Sequence, residues 1–301
     1  MKGYSLSSSD NPQFDSPHVD GEVHAPPPPP DPAELNPVAN HPQAGVGLEG
    51  STPIPIAPPD PVWSGWDVLT VAVLTLVTIF ILSAGFALAA RAFFPRIDLN
   101  EATPEIAIAA QFVAYLLIAI FMVMLVEGKY RVRFWEAIHW NWPSSNLPFM
   151  GLGVALLLSI NVVAHFLPMP KSTPFDQFFL KPRDAVVMSI FAITLGPLME
   201  ELFFRGLLYP VLVRRLGVFW GIILTALPFG LIHMFQYGYA WGVVLLIFLM
   251  GVVCTVVRWQ TESVASSFLV HVGYNATEMF LLMLATGGFR HMDKAMAFLS
   301  Y

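Results

Sequence analysis

From Asp67 onward the chain alternates long uncharged runs with short polar breaks. Such runs predict membrane-spanning helices, because a hydrocarbon core takes about 20 apolar helical residues to cross. Residues 68–90 form the first run, closed by Arg91, and residues 106–126 the second, bounded by Glu105 and Glu127. The third, 147 to about 167, carries Asn161 and His165 at helical i, i+4 spacing. The fourth begins near Ala185 and its pattern breaks at Gly196-Pro197, after which Glu200, Glu201 and Arg205 appear in otherwise apolar sequence. Between Arg215 and Arg258 no Asp, Glu, Lys or Arg occurs. That stretch holds a fifth and a sixth span, with Gln236-Tyr237-Gly238 as the turn between them. The seventh runs from about Ser263 to Ala285 and contains His271, Asn275 and Glu278. The expected fold class is all-α, a polytopic membrane protein with about seven transmembrane helices. All eight tryptophans fall at predicted helix ends, the depth that indole rings prefer.

Composition agrees: 55% of the 301 residues are hydrophobic and 12% charged, against about 25% charged in soluble domains. Residues 1–61 hold eight acids and one base, so the net charge of −6 belongs to the N-terminal part and the remainder sums to +1. Fifteen of the 26 prolines lie in residues 1–62, including Pro26 to Pro30. With few large apolar groups to bury, this segment is expected to be a disordered, acidic, Pro-rich tail, followed by a membrane domain over 63–301. The start of the chain lacks the basic and apolar regions of a signal peptide. No basic face for phosphate neutralisation is present, so nucleic acid is excluded as a partner, and membrane lipid is the expected environment. Cys254 stands alone and forms no internal disulfide. Basic loop residues divide six to seven between the two sides, which leaves orientation open.

A carboxylate in the bilayer costs a few kcal/mol on insertion scales and marks a functional site by default. Glu201 and Arg205 lie at i, i+4 with the acid first, the better orientation for a helical ion pair. Glu200 is turned about 100° away and needs a partner from another helix. His271 and Asn275 share one helical face and can converge on a substrate oxygen. His233 follows Phe229 by four residues at the end of the fifth span. Glu278, seven residues after His271 on the same face, is expected to pair structurally with a neighbouring helix. If the fourth helix continues past Arg205 to about Leu216, kinked at Pro210, the 1.5 Å helical rise puts Glu201, His233 and His271 at compatible depths, about 17 to 24 Å from one side.

The three spacings are Glu200-Glu201-x-x-x-Arg205, Phe229-x-x-x-His233 and His271-x-x-x-Asn275. Together, in this order, they resemble the CAAX-protease and bacteriocin-processing (CPBP) family of intramembrane endopeptidases, which includes the Ras-converting CAAX endopeptidase. The resemblance covers about residues 185–285. One departure is that some members have an eighth span, whereas residues 289–301 are too short and charged to cross. The resemblance implies an intramembrane endopeptidase that hydrolyses a peptide bond of a membrane-associated protein or peptide. Its implied catalytic set is Glu200, Glu201, Arg205, His233, His271 and Asn275. Glu200 would be the general base on a water with His233 assisting, His271 and Asn275 would stabilise the oxyanion, and Glu201 with Arg205 would hold the first motif. The family is classed among metalloproteases. Either Zn2+ is held by Glu200, His233 and His271, with a fourth position for water, or Glu200 works without a metal. A bacterial plasma membrane is the expected location. Two other readings remain: a non-catalytic binding or bacteriocin-immunity protein on the same fold, and a proton-coupled transporter using Glu278 and the histidines as a relay.

Overall fold

The structure, a computed structural model, describes residues 60–96 and 99–291, and no strand occurs among them. The expected tail, up to residue 59, and the chain past residue 291 lie outside the described residues. Six helical stretches are long and apolar enough to cross a membrane. They comprise α1 (Gly65–Phe93), α2 (Leu99–Met124, continued by a π-helical turn, Leu125–Lys129), α4 (Leu147–Ala164), the composite stretch Pro182–Ile232, α8 (Trp241–Thr261) and α9 (Val264–Ala285). A short helix, α3 (Phe134–Ala137), follows α2, and a 3-10 segment, Pro174–Phe179, precedes the composite stretch. The chain is an integral, multi-pass membrane protein.

Helix α1 starts where a side chain can cap it. Ser64 accepts from the Asp67 backbone N–H, while the Asp67 carboxylate accepts from the Ser64 N–H at 2.9 Å. The same carboxylate takes Lys129 Nζ at 2.6 Å and the Tyr130 hydroxyl at 2.5 Å, which ties the first turn of α1 to the end of α2. Beyond that turn, Leu76, Phe80 and Leu88 face outward, as an apolar helix in lipid requires.

The composite stretch contains α5 (Pro182–Ile193), α6 (Leu195–Glu201), a π-helical segment (Leu202–Leu208) and α7 (Tyr209–Ile232). It is 51 residues long and is not straight. The helix breaks first at Thr194 (φ −113°, ψ −82°), two residues before the expected Gly196-Pro197 interruption. It breaks again at Gly217, whose φ of 79° and ψ of 171° lie outside any helix and favour a residue without a Cβ. There the chain turns back on itself. A Cβ at Gly221 would lie 3.2 Å from the Val213 backbone N, although eight residues of unbroken helix would separate them by about 12 Å. The expected fourth and fifth spans are therefore two antiparallel arms of one stretch, so the described residues hold six stretches long and apolar enough to cross where about seven spans were expected. Residues equidistant from Gly217 come level, which pairs Arg205 with Phe229 and Glu201 with His233.

The helix does continue through to Leu216, as the depth reading requires. Its irregularity is spread over the π-helical segment Leu202–Leu208 rather than concentrated as a kink at Pro210. The wider register ends two residues before Pro210, which has no N–H to donate to an α-helical ladder. Trp63, at the start of α1, is buried, and its indole N–H donates to the Leu207 carbonyl of that segment at 2.9 Å.

Helix α9 is seated against α4 by backbone-to-backbone approach. A Cβ at Gly153 would lie 2.6 Å from the Tyr274 N, and one at Gly273 would lie 2.9 Å from the Met150 Cα. Small residues at a crossing are how membrane helices gain close packing where lipid supplies no hydrophobic drive. This crossing fixes the depth and rotation of His271, which lies two residues before Gly273.

Candidate active site

Glu201 and Arg205 form the buried centre, each with no exposed side-chain surface. Arg205 NH1 donates to Glu201 Oε1 at 2.9 Å, its NH2 to the Gly251 carbonyl at 2.8 Å, and its Nε to Thr255 Oγ1 at 3.3 Å. The guanidinium also lies 4.5 Å from the centre of the Phe229 ring. A buried cation is thus met by one carboxylate, two oxygens of α8 and an aromatic face, the full satisfaction that a charge in a low-dielectric interior needs.

Glu201 does more than neutralise Arg205. Its Oε1 also accepts from His271 Nδ1 at 3.0 Å, and its Oε2 accepts from the Ser267 hydroxyl at 2.6 Å. A carboxylate only accepts, so His271 carries a proton on Nδ1 and turns Nε2 the other way. His233 is oriented alike, since its Nδ1 stands 2.8 Å from the Phe229 carbonyl, also an acceptor. Both free Nε2 atoms face Glu200: His233 Nε2 is 3.9 Å from Oε1 and His271 Nε2 is 3.6 Å from Oε2. These separations exceed direct hydrogen bonds and suit one bridging water. Glu200 keeps 18% of its side chain exposed, so water can reach it. Phe229, the first residue of the second spacing, meets His271 edge to face at 5.8 Å and His233 at a tilt at 5.4 Å, ring centre to ring centre.

Asn275 sits one turn beyond His271 and donates Nδ2 to the Ala192 carbonyl at 2.7 Å. Ala192 is at the end of α5, where the break at Thr194 interrupts the helical ladder its carbonyl would enter. One of the two amide hydrogens is thereby committed to α5, and the other stays available to a ligand.

Zinc ligands bonded at about 2.0–2.1 Å in a tetrahedron stand roughly 3.3 Å apart. The Glu200–His271 and Glu200–His233 separations of 3.6 and 3.9 Å are wider. Among the described residues no group of three His, Cys, Asp or Glu is gathered closely enough to hold a metal ion. The hydrogen-bonded Nδ1 atoms would suit zinc ligands, but the donor set does not form a ready cage.

Two residues of this network were not expected from sequence, Ser267 and Thr255. Ser267 precedes His271 by four residues, and Thr255 follows Gly251 by four, so each shares a helical face with a group it supports. That spacing is the only signal they give. Glu278 is a correction: expected to pair with a neighbouring helix, it makes no hydrogen bond or ion pair among the described residues.

No curated protein and no solved structure matches the chain. A family model described as Type II CAAX prenyl endopeptidase Rce1-like matches residues 182–277, about a third of the chain. That segment runs from the start of α5 into α9, and it contains all three spacings. Across residues 182–277 the chain is therefore similar to the Rce1-like type II CAAX prenyl endopeptidases.

Proposed function

We propose that the chain is an intramembrane endopeptidase which hydrolyses a peptide bond of a membrane-associated protein or peptide, in keeping with its CAAX-protease-type segment. The observation that carries this reading is the convergence of Glu200 Oε1 and Oε2 on the free Nε2 atoms of His233 and His271, at 3.9 and 3.6 Å, inside a membrane span. A water held among these three atoms has a carboxylate to take its proton. Its oxygen attacks the scissile carbonyl carbon, and the proton moves to Glu200, which later delivers it to the leaving amine. His233 fixes the water through Nε2. The oxyanion is met by the second Asn275 N–H and by His271 Nε2–H when that ring is doubly protonated. The Glu201 carboxylate on Nδ1 stabilises such an imidazolium, and Glu200, Glu201, Arg205 and His271 then sum to zero charge, which favours a site within lipid. These side chains supply the chemistry without a metal. The bacterial plasma membrane is the location we assign to the reaction.

The test is Glu200→Gln, which keeps shape and hydrogen bonding and removes the base. Cleavage should fall by at least about a hundredfold with folding unchanged. A comparison of membrane proteomes from cells with wild type and Glu200→Gln should reveal substrates that lose a cleaved terminus. Full biological activity in Glu200→Gln, such as intact immunity to a bacteriocin, would replace the endopeptidase with a non-catalytic binding protein.

A further inference from the structure

Glu278 is a carboxylate inside α9 that the proposed chemistry does not use. It lies seven residues after His271, two turns along the same face, and three residues after Asn275. The side chain is exposed, on the helical face of α9 that also carries His271 and Asn275. Tyr237, in the turn after α7, lies within electrostatic reach of both Glu278 and Glu200. Tyr274, one turn before Glu278, is near it as well. No Lys, Arg or His among the described residues pairs with Glu278. An unpaired carboxylate within a span is costly to keep, and a cation brought by a ligand would offset that cost.

The spacing indicates where such a cation would sit. Seven residues of helix place Glu278 about 10 Å from His271 along the axis, and an extended peptide covers about 3.3 Å per residue. Glu278 is also seven residues from the end of α9 at Ala285, toward the membrane boundary. Membrane-associated segments carry their Lys and Arg at that depth, with stems in lipid and heads toward water.

We propose that Glu278 is a specificity-determining residue that accepts the ammonium or guanidinium of a basic side chain about three residues from the scissile bond. This rests on the endopeptidase reading for the word scissile, but the binding of a basic side chain does not. The test uses full-length protein in detergent or nanodiscs and amphipathic fluorogenic peptides that differ only in lysine or norleucine at one position. That position is moved through four residues on either side of the cleaved bond. For the wild type, kcat/KM should favour lysine by at least tenfold at one position near the third residue. In Glu278→Gln that ratio should fall to about one, and in Glu278→Lys a glutamate peptide should become the preferred one. A wild-type ratio near one at every position, or a ratio that survives Glu278→Gln, would overturn the assignment. If Glu278→Gln fails to insert, Glu278→Ser is measured in the same way. A second arm reads binding by fluorescence anisotropy with peptides N-methylated against cleavage. Lysine-dependent binding lost in Glu278→Gln would uphold Glu278 even if the wild type cleaved nothing, in which case only the endopeptidase reading fails. Equal binding of lysine and norleucine peptides would remove Glu278 from recognition whatever the cleavage assay gave.

Discussion

Glu201 Oε1 and His271 Nδ1, 70 positions apart in sequence, stand 3.0 Å apart with no exposed surface on the carboxylate. The bond decides which nitrogen of His271 faces the catalytic side, because the carboxylate holds the proton on Nδ1 and leaves Nε2 to Glu200. Glu201 therefore links the ion pair that stabilises the helix packing to the imidazole that faces Glu200.

Ser267 reports on that link without removing a charge. Its hydroxyl donates to Glu201 Oε2 at 2.6 Å, with the Cys254 carbonyl at 2.9 Å as the competing acceptor for the same hydrogen. Ser267→Ala should lower kcat by about tenfold or more, the range typical of outer-shell partners. The thermal midpoint should fall only modestly, since one hydrogen bond to a charged group contributes about 1.5–3 kcal/mol and the Arg205 pair stays in place. The separating measurement is the 15N spectrum of His271 in substrate-free protein. Ser267→Ala should show a tautomer mixture in place of a single Nδ1–H form, and an unchanged spectrum would deny Ser267 any part in orienting the ring.

Arg205→Ala should behave differently from every substitution on the catalytic side. It leaves Glu201 as a carboxylate with no cation inside the membrane domain, and breaking a buried pair from one end costs about 3–5 kcal/mol. Yield and thermal stability should fall together with activity. Arg205→Lys restores the charge but not the fork that reaches Glu201, Gly251 and Thr255 at once, so it should recover stability only in part. Denaturation of the purified proteins in a fixed detergent checks both.

Much of this arrangement was legible in the sequence because lipid punishes polar groups. Glu200, Glu201, Arg205, His233 and His271 stood out as ionisable residues in apolar runs, and helical spacing told which shared a face. The boundary at Gly217 was legible, because Arg214 and Arg215 close the fourth span and a fifth must begin after them, but the sharpness of the reversal was not. Only the positive φ of Gly217 and the Val213–Gly221 approach show how sharply the chain turns there. The role of Glu201 was only half visible. Its i, i+4 relation to Arg205 is local, whereas its bonds to Ser267 and His271 depend on how α9 crosses α4 at Gly153 and Gly273. Trp63 does flank the start of α1, but its bond to the Leu207 carbonyl was not legible, because it depends on how α1 packs against the composite stretch.

Chelation separates the two chemistries that the resemblance leaves open. With Glu200–His271 and Glu200–His233 separations of 3.6 and 3.9 Å, the side chains are spaced for a bridging water rather than for a tetrahedral zinc. Activity of purified protein should therefore survive dialysis against a strong chelator, and added zinc should not raise it. Loss of activity with recovery on remetallation, matched by about one equivalent of zinc in elemental analysis, would assign Glu200, His233 and His271 as ligands instead.

Asn275 carries two duties that one pair of variants can divide. Its Nδ2 bond to Ala192 ties α9 to the end of α5, and its second N–H is the proposed oxyanion donor. Asn275→Ala removes both, so kcat should fall by about a hundredfold, the usual effect of losing one oxyanion donor. The thermal midpoint should drop as well, since a carbonyl left without its partner costs about 1–3 kcal/mol. Asn275→Gln keeps an amide on a longer stem. If it recovers the bond to Ala192 but misplaces the second N–H, stability returns while kcat stays low and KM is unchanged. Turnover restored along with stability would mean that Asn275 acts only by fastening α9 to α5, and the oxyanion would then rest on His271 alone.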